Sequence, residues 1–254
     1  MDRHRAARST ALKSRLGHSL DAILGLIWPL RCPVCGAIAE LRDYPWCAAC
    51  TRSVHLWREP ICPRCRRFLT GEEHCCSDGA SPSSLRIVVA LGAYDGALGA
   101  AVQALKYDQL RAVAAPLGRL LAARLQDFGS CHAVVAVPTT EHKRRERGFG
   151  HAEVIAERLA QELAIPFVDR AIRFTRRVAD QTRLSPAERH QNVQGAFAVP
   201  DDSTVRGRDF VLVDDVMTTG ATIGEASRVL MEAGAIRVTG AVVALNLGPA
   251  ARNA

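Results

Sequence analysis

The chain has 254 residues, of which 48% are hydrophobic, 23% charged and 5% aromatic, and a formal net charge of +7. That size and apolar content suit one medium domain plus a small module. The positive surplus favours an anionic partner (phosphate, nucleic acid or an acidic protein), and the sparse aromatics argue against a base-stacking platform for single strands. No stretch approaches the roughly 20 consecutive apolar residues of a membrane-spanning helix.

In chain order, residues 1–18 (MDRHRAARSTALKSRLGH) form a basic tail. It reads as solvated and loose in preference to a segment gripping nucleic acid or membrane phosphates. Leu20–Leu30 imitates the apolar core of a signal peptide, but Asp21 and Pro29 interrupt it and no small-residue cleavage site follows. The chain therefore reads as cytoplasmic.

Eight of the nine cysteines fall between Cys32 and Cys76: Cys32-x-x-Cys35-Gly, Cys47-x-x-Cys50, Cys62-x-x-Cys65, then His74-Cys75-Cys76. Each Cys-x-x-Cys turn presents two thiolates to one metal, and two turns complete a tetrahedral Zn²⁺ shell. Cys32, Cys35, Cys47 and Cys50 make one full set. Cys62, Cys65, Cys75 and Cys76 make a second, in which two adjacent cysteines force a strained chelate, so His74 or a three-ligand site is an alternative. Spacing also permits an interleaved pairing of Cys32/Cys35 with Cys62/Cys65. A closed four-sulfur shell is structural, with no open position for chemistry. Trp46, Leu56 and Trp57 either pack this module or offer an apolar surface to a protein partner. Cys131, outside any motif, reads as a core thiol.

Gly79–Ser84 reads as a linker. An apolar run follows at 87–91, then helical patterns over 97–107 and 112–126, a strand over 133–137, a helix over 152–163 and a strand over 236–245. Strands alternating with helices imply a parallel sheet with crossovers. Gly92, Gly96 and Gly99 lack dinucleotide-fingerprint spacing. The 174–197 span is Arg-rich and polar without a clear period, and suits a mobile lid or a small packed hood.

Phe210–Gly224 (FVLVDDVMTTGATIG) is the most informative stretch. An apolar strand, Phe210–Val213, ends in Asp214 and Asp215; a turn of Thr218-Thr219-Gly220-Ala221-Thr222 leads into a helix marked by Ile223, Ala226, Leu230 and Ala233, with Gly234 at its end. N–H groups and hydroxyls at a helix start surround a phosphate, and carboxylates at the strand tip accept hydrogen bonds from a diol or position Mg²⁺. A Walker B reading fails because no Gly-x-x-x-x-Gly-Lys-Ser/Thr partner exists.

This stretch resembles the phosphoribosyl pyrophosphate (PRPP) loop of type I phosphoribosyltransferases. The resemblance implies that Asp214 and Asp215 take the ribose hydroxyls and that Thr218, Thr219, Gly220, Ala221 and Thr222 cradle the 5′-phosphate. Together with the cysteine module, Leu105-Lys106-Tyr107, Val137-Pro-Thr-Thr140 and the 141–149 segment, the order of motifs over about residues 20–245 resembles the ComF family, competence-associated proteins with a double zinc ribbon. Three positions depart from the family's habit: Gly150-His151 stands where Asn-Gln is usual, and Val178 where Thr is usual, while Gln181, Leu184, Arg189 and Asn192 keep the spacing.

The resemblance implies an α/β fold, a type I phosphoribosyltransferase-like parallel sheet with flanking helices, preceded by the zinc-ribbon module. It divides the chain into tail 1–18, module 19–78, linker 79–84 and main domain 85–250. Lys143, Arg144, Arg145 and Arg147 beside a strand tip, with Lys106, are the cations expected for a pyrophosphate, with Mg²⁺ as its counterion. Two functions follow as expectations: a phosphoribosyl-transferring enzyme that uses PRPP or a related ribose phosphate, or an accessory factor of DNA uptake. The latter would bind single-stranded DNA or dock on a helicase-like uptake ATPase.

Overall fold

A computed structural model describes residues 30–40, 45–69, 85–108, 110–179 and 185–247. The expected basic tail, the 79–84 linker, His74, Cys75, Cys76, Gln181 and Leu184 lie outside the described residues.

The central sheet has four parallel strands in the order β1-β6-β5-β2: β1 Val88–Ala93, β2 Ala133–Ala136, β5 Asp209–Met217 and β6 Arg237–Leu245. These strands read as near-continuous apolar runs because helices cover both faces of the sheet. In β5, Val211 and Val213 enter one core with Val89, Val134 and Val243, while Phe210 and Leu212 enter the other with Val88, Val135 and Val242. The period of two along each strand assigns alternate residues to opposite faces.

Helices α2 (Gly96–Lys106), α3 (Ala114–Leu125) and α5 (His151–Leu163) cover the first face; α7 (Ala221–Glu232) covers the second. Strand β5 runs past the expected end at Val213. Its ladder continues through Asp214↔Val242 and Met217↔Leu245, since β6 supplies backbone partners that far even though Asp214 and Asp215 interrupt the apolar run.

Residues 141–147, legible in the sequence only as a basic run, form helix α4 (Glu141–Arg147). Thr140 caps it, its hydroxyl accepting from the Lys143 N–H, and Gly148 ends it. The described parts of the Arg-rich span, residues 174–179 and 185–197, form a small hood. Strands β3 (Arg173–Phe174) and β4 (Phe197–Ala198) pair antiparallel, with Phe174 against Phe197 at 4.9 Å, and α6 (Pro186–Val193) packs on α7. Helix α6 opens on a capping box, Ser185 with Glu188, a signal that its polar composition hid.

The cysteine-rich segment, with its short helix α1 (Ala48–Thr51), lies on the main domain. The Trp57 N–H donates to the Leu91 carbonyl at 2.9 Å, and Ile61 and Val88 exchange two backbone hydrogen bonds at 2.8 and 3.0 Å. This segment thus covers the free edge of β1, which would otherwise offer unpaired backbone groups to another chain. Trp46 is buried and its indole N–H donates to the Ala97 carbonyl at 2.8 Å, so its ring packs against α2 and is not presented to a partner. Leu56 is exposed, and Trp57 meets Phe68 edge-on at 5.0 Å.

Candidate functional site

Neighbouring parallel strands β2 and β5 send their following helices to opposite faces: α5 joins the first core and α7 the second. Such a divergence opens a crevice beyond the carboxyl ends of the strands, where open α/β sheets bind ligands. The tip of β2, continuing through Thr140 into α4, forms one wall. The tip of β5, with Asp214, Asp215 and the loop to α7, forms the other.

Residues 218–220 are half-buried and Ala221 begins α7. Gly220 is the N-cap in a left-handed conformation (φ 82°), which lets the chain turn from strand to helix in so few residues. The Thr219 hydroxyl accepts from the Ala221 N–H at 3.3 Å, and the Gly220 carbonyl accepts the first helical bond, from Gly224, at 2.8 Å. A helix start leaves N–H groups without partners inside the helix, and its dipole favours an anion there.

Beneath the loop lies a charged cluster. Lys106, at the last turn of α2, places Nζ 2.9 Å from Asp215 Oδ2. Burial raises the carboxyl of Asp215, but the Lys106 ammonium, with help from His151, overcomes this and holds it well below the ordinary carboxylate range. Burial likewise opposes the Lys106 charge, and the two aspartates outweigh it, so its pKa is raised. Asp214 is not directly ion-paired: burial, then the charge on Asp215, push it up to about 7, against the opposing pull of Lys106 and of the Asp215 N–H, which donates to its Oδ1 at 2.8 Å.

His151 completes the cluster. It is 5% exposed, its Nδ1 lies 3.5 Å from Asp215 Oδ2, and its Nε2 has no hydrogen-bond partner among the described residues. The sequence flagged position 151 only as a departure from a family pattern, and chain separation hid its nearness to Asp215. Of the basic residues on α4, Arg144 is engaged by Glu153 in a close ion pair. Lys143 and Arg147 are half-buried and Arg145 is exposed.

The cysteines form a second centre. The sulfurs of Cys32, Cys35, Cys47 and Cys50 all lie within 4.8 Å of one another, with Cys35 and Cys47 at 3.6 Å. A tetrahedral ion with Zn–S bonds of about 2.3 Å needs sulfurs about 3.8 Å apart, so the donor set fits Zn²⁺. Burial opposes ionisation of Cys32, yet backbone N–H groups of Cys47, Cys35 and Val34 bring it down to about 7. Cys50 is pushed up to about 12, first by burial and then by the sulfurs around it. Four thiols competing for negative charge in one small volume suit a divalent cation. The structure groups Cys32/Cys35 with Cys47/Cys50 and not with Cys62/Cys65.

Comparison with known proteins places these features. Residues 106–253 match the phosphoribosyl transferase domain family, and residues 23–79 match the double zinc ribbon domain family. The chain is 28% identical over 221 residues to DNA utilization protein YhgH of Escherichia coli K12, covering 84% of this chain and 94% of that one. It is 26% identical over 212 residues to Competence protein F of Haemophilus influenzae, covering 80% of this chain and 92% of that one. Among solved structures, the glutamine PRPP amidotransferase of B. subtilis, complexed with ADP and GMP, is 25% identical at a TM-score of 0.35, covering 51% of this chain and 26% of that one. With one family matching more than half its length and a double zinc ribbon ahead of it, the chain belongs to the phosphoribosyl transferase domain family and, within it, to the ComF family.

Proposed function

We propose that the chain binds PRPP or a related ribose 5-phosphate at the ends of β5 and β2, in the service of DNA use by the cell. The observation that carries this reading is the pairing of a half-buried Lys106–Asp215 ion pair and a second acid, Asp214, with a Thr-Thr-Gly-Ala-Thr turn at a helix start. The turn supplies N–H groups and hydroxyls for the 5′-phosphate. Asp214 and Asp215 accept hydrogen bonds from the ribose hydroxyls, with Lys106 and His151 orienting Asp215. Lys143 and Arg147 lie on the wall where a pyrophosphate would extend, while Arg144, held by Glu153, braces α4 against α5. Both aspartates are hard oxygen donors of the kind Mg²⁺ accepts, and Mg²⁺ would neutralise a bound pyrophosphate. Cys32, Cys35, Cys47 and Cys50 hold structural zinc, and Cys62 and Cys65 open a second site with the cysteines at 75 and 76.

Calorimetry with PRPP and Mg²⁺ tests this, on native protein and on the Asp214→Asn/Asp215→Asn pair. We expect binding by the native chain and its loss in the variant; no binding by the native chain would refute the reading.

The names of the relatives favour a second reading, a single-stranded DNA contact made by the same phosphate loop and the basic surface. Such binding weakens steeply with salt as phosphates release their counterions. Undetectable or salt-insensitive binding excludes it.

A further inference from the structure

The two described Cys-x-x-Cys knuckles that open with Cys-Pro are the same turn built twice. In Cys32-Pro-Val-Cys35-Gly36, the Cys32 N–H donates to the Ala37 carbonyl at 2.8 Å and the Gly36 N–H to the Cys32 carbonyl at 2.9 Å. In Cys62-Pro-Arg-Cys65-Arg66, the Cys62 N–H donates to the Arg67 carbonyl and the Arg66 N–H to the Cys62 carbonyl, both at 2.9 Å. The flanking bridges repeat as well, Arg31 with Ile38 and Ile61 with Phe68.

One position differs in kind. The residue after the second cysteine is left-handed in both knuckles: Gly36 at φ 72° and Arg66 at φ 63°. Glycine takes that conformation freely, whereas a side chain there is strained by contact between Cβ and the backbone. Strain held where an internal repeat shows the unstrained alternative points to a task for the side chain.

The task is visible. Arg66 Nη1 donates to the Thr218 carbonyl at 3.2 Å, on the loop that leads from β5 to α7. The same knuckle touches the loop again. A Cβ added to Gly220 would lie 2.8 Å from the Pro63 carbonyl oxygen, and Pro63 is buried. The knuckle is in turn tied to the sheet through the fully buried Ile61 and its two hydrogen bonds to Val88. The exposed Gly36 of the first knuckle has no counterpart to this contact among the described residues.

We propose that the second knuckle is the clamp that sets the phosphate loop, with Arg66 as its positioning residue. The inference rests on the reading of this loop as a phosphate site. The Thr218–Thr219 peptide is planar, so its C=O and N–H point in opposite directions. By holding the Thr218 carbonyl, Arg66 fixes the direction of the Thr219 N–H. A phosphate site depends on N–H donors aimed before the anion arrives. Pro63 restricts the other end of the same three residues. The ribbon is thereby a working wall of the phosphate site, and disturbance of the second knuckle reaches the loop directly.

Arg66→Gly separates this role from a structural one, because it relieves the left-handed strain and leaves a knuckle like the first. In the full zinc-loaded chain, we expect its zinc content and melting temperature to stay at or above native. Ribose 5-phosphate and inorganic phosphate should bind about tenfold more weakly, the weight of one hydrogen bond from a charged donor. Arg66→Lys should restore most of this affinity, since the carbonyl uses one donor. In ligand-free protein, amide hydrogen exchange at residues 218–222 should quicken by about the same factor in Arg66→Gly. Native exchange rates in that variant would overturn the clamp whatever the ligand. If exchange quickens but the native chain binds neither phosphate, the clamp stands and the phosphate reading of the loop fails.

Discussion

Asp214 and Asp215 are chemically identical neighbours that the structure drives apart. Asp215 has Lys106 at 2.9 Å and His151 at 3.5 Å, while Asp214 has burial and the charge of Asp215 against it. The folded pKa of Asp214, about 7, lies above its unfolded value. Its protonated form is favoured by folding, so the stability it supports is complete below about pH 4 and is lost as pH rises through about 7. Asp215 has the opposite sign: its folded pKa is depressed, and its contribution is present above about pH 4 and lost on acidification. We therefore expect Asp214→Asn to raise stability at pH 8, by about 1–3 kcal/mol, and to flatten the slope of stability between about pH 4 and 7. Denaturant melts across that range check it; an unchanged slope would contradict the assignment. Asp215→Asn should instead destabilise at neutral pH by about 1–3 kcal/mol, because it leaves the half-buried Lys106 without its closest counter-charge.

At the scale of the element, the strand–turn–helix from β5 to α7 was legible because its signals are local: an apolar run, paired acids, a small hydroxyl-rich turn and a helical period. Gly220 carries the turn for two reasons, one visible in the sequence as a glycine and one supplied by the fold. Its φ of 82° disfavours a side chain, and the Pro63 carbonyl oxygen would stand only 2.8 Å from a Cβ. Gly220→Val should therefore abolish ribose 5-phosphate and inorganic phosphate binding and cost about 2–4 kcal/mol in stability, through backbone strain and the displaced Pro63. Asp215→Asn should weaken ribose binding yet keep inorganic phosphate binding, since it alters the strand and not the turn. Calorimetry with both ligands on both variants checks the pair; equal loss of inorganic phosphate in the two would refute this division. Helices α4 and α6 escaped periodicity because they are short and polar, held by caps at Thr140 and Ser185 and not by broad apolar faces.

For the whole molecule, the zinc ribbon and the sheet depend on one another. Trp57 and Ile61 pair with β1, and Trp46 is hydrogen-bonded to Ala97. Zinc is expected to supply most of the folding free energy of so small a module, about 10–16 kcal/mol in isolated fingers. A chelator should then do more than melt the ribbon. The loss of three backbone hydrogen bonds and the Trp46 contact should expose the edge of β1 and lower the melting temperature of the remaining domain by about 5–10 °C. Tryptophan fluorescence should report the exposure of Trp46, and hydrogen exchange should quicken at Val88–Leu91 while Phe210–Val213 stays protected. Native exchange at β1 after metal removal would show that the two parts fold independently.

The sequence by itself determined the motifs whose physics is local. The Cys-x-x-Cys turns, the alternation of apolar strands with helices and the Asp-Asp to Thr-Thr-Gly-Ala-Thr loop each announce themselves within a few residues. Tertiary structure alone decided what those motifs meet. Helices α5 and α7 leave β2 and β5 toward opposite faces, a choice made by the packing of both cores. His151 reaches Asp215, Glu153 engages Arg144, Trp46 turns inward onto α2, and Arg66 grips Thr218 only because the chain brings distant segments together. Spacing along the chain records which groups can form a turn. It carries no record of which cation, once folded, stands beside which carboxylate.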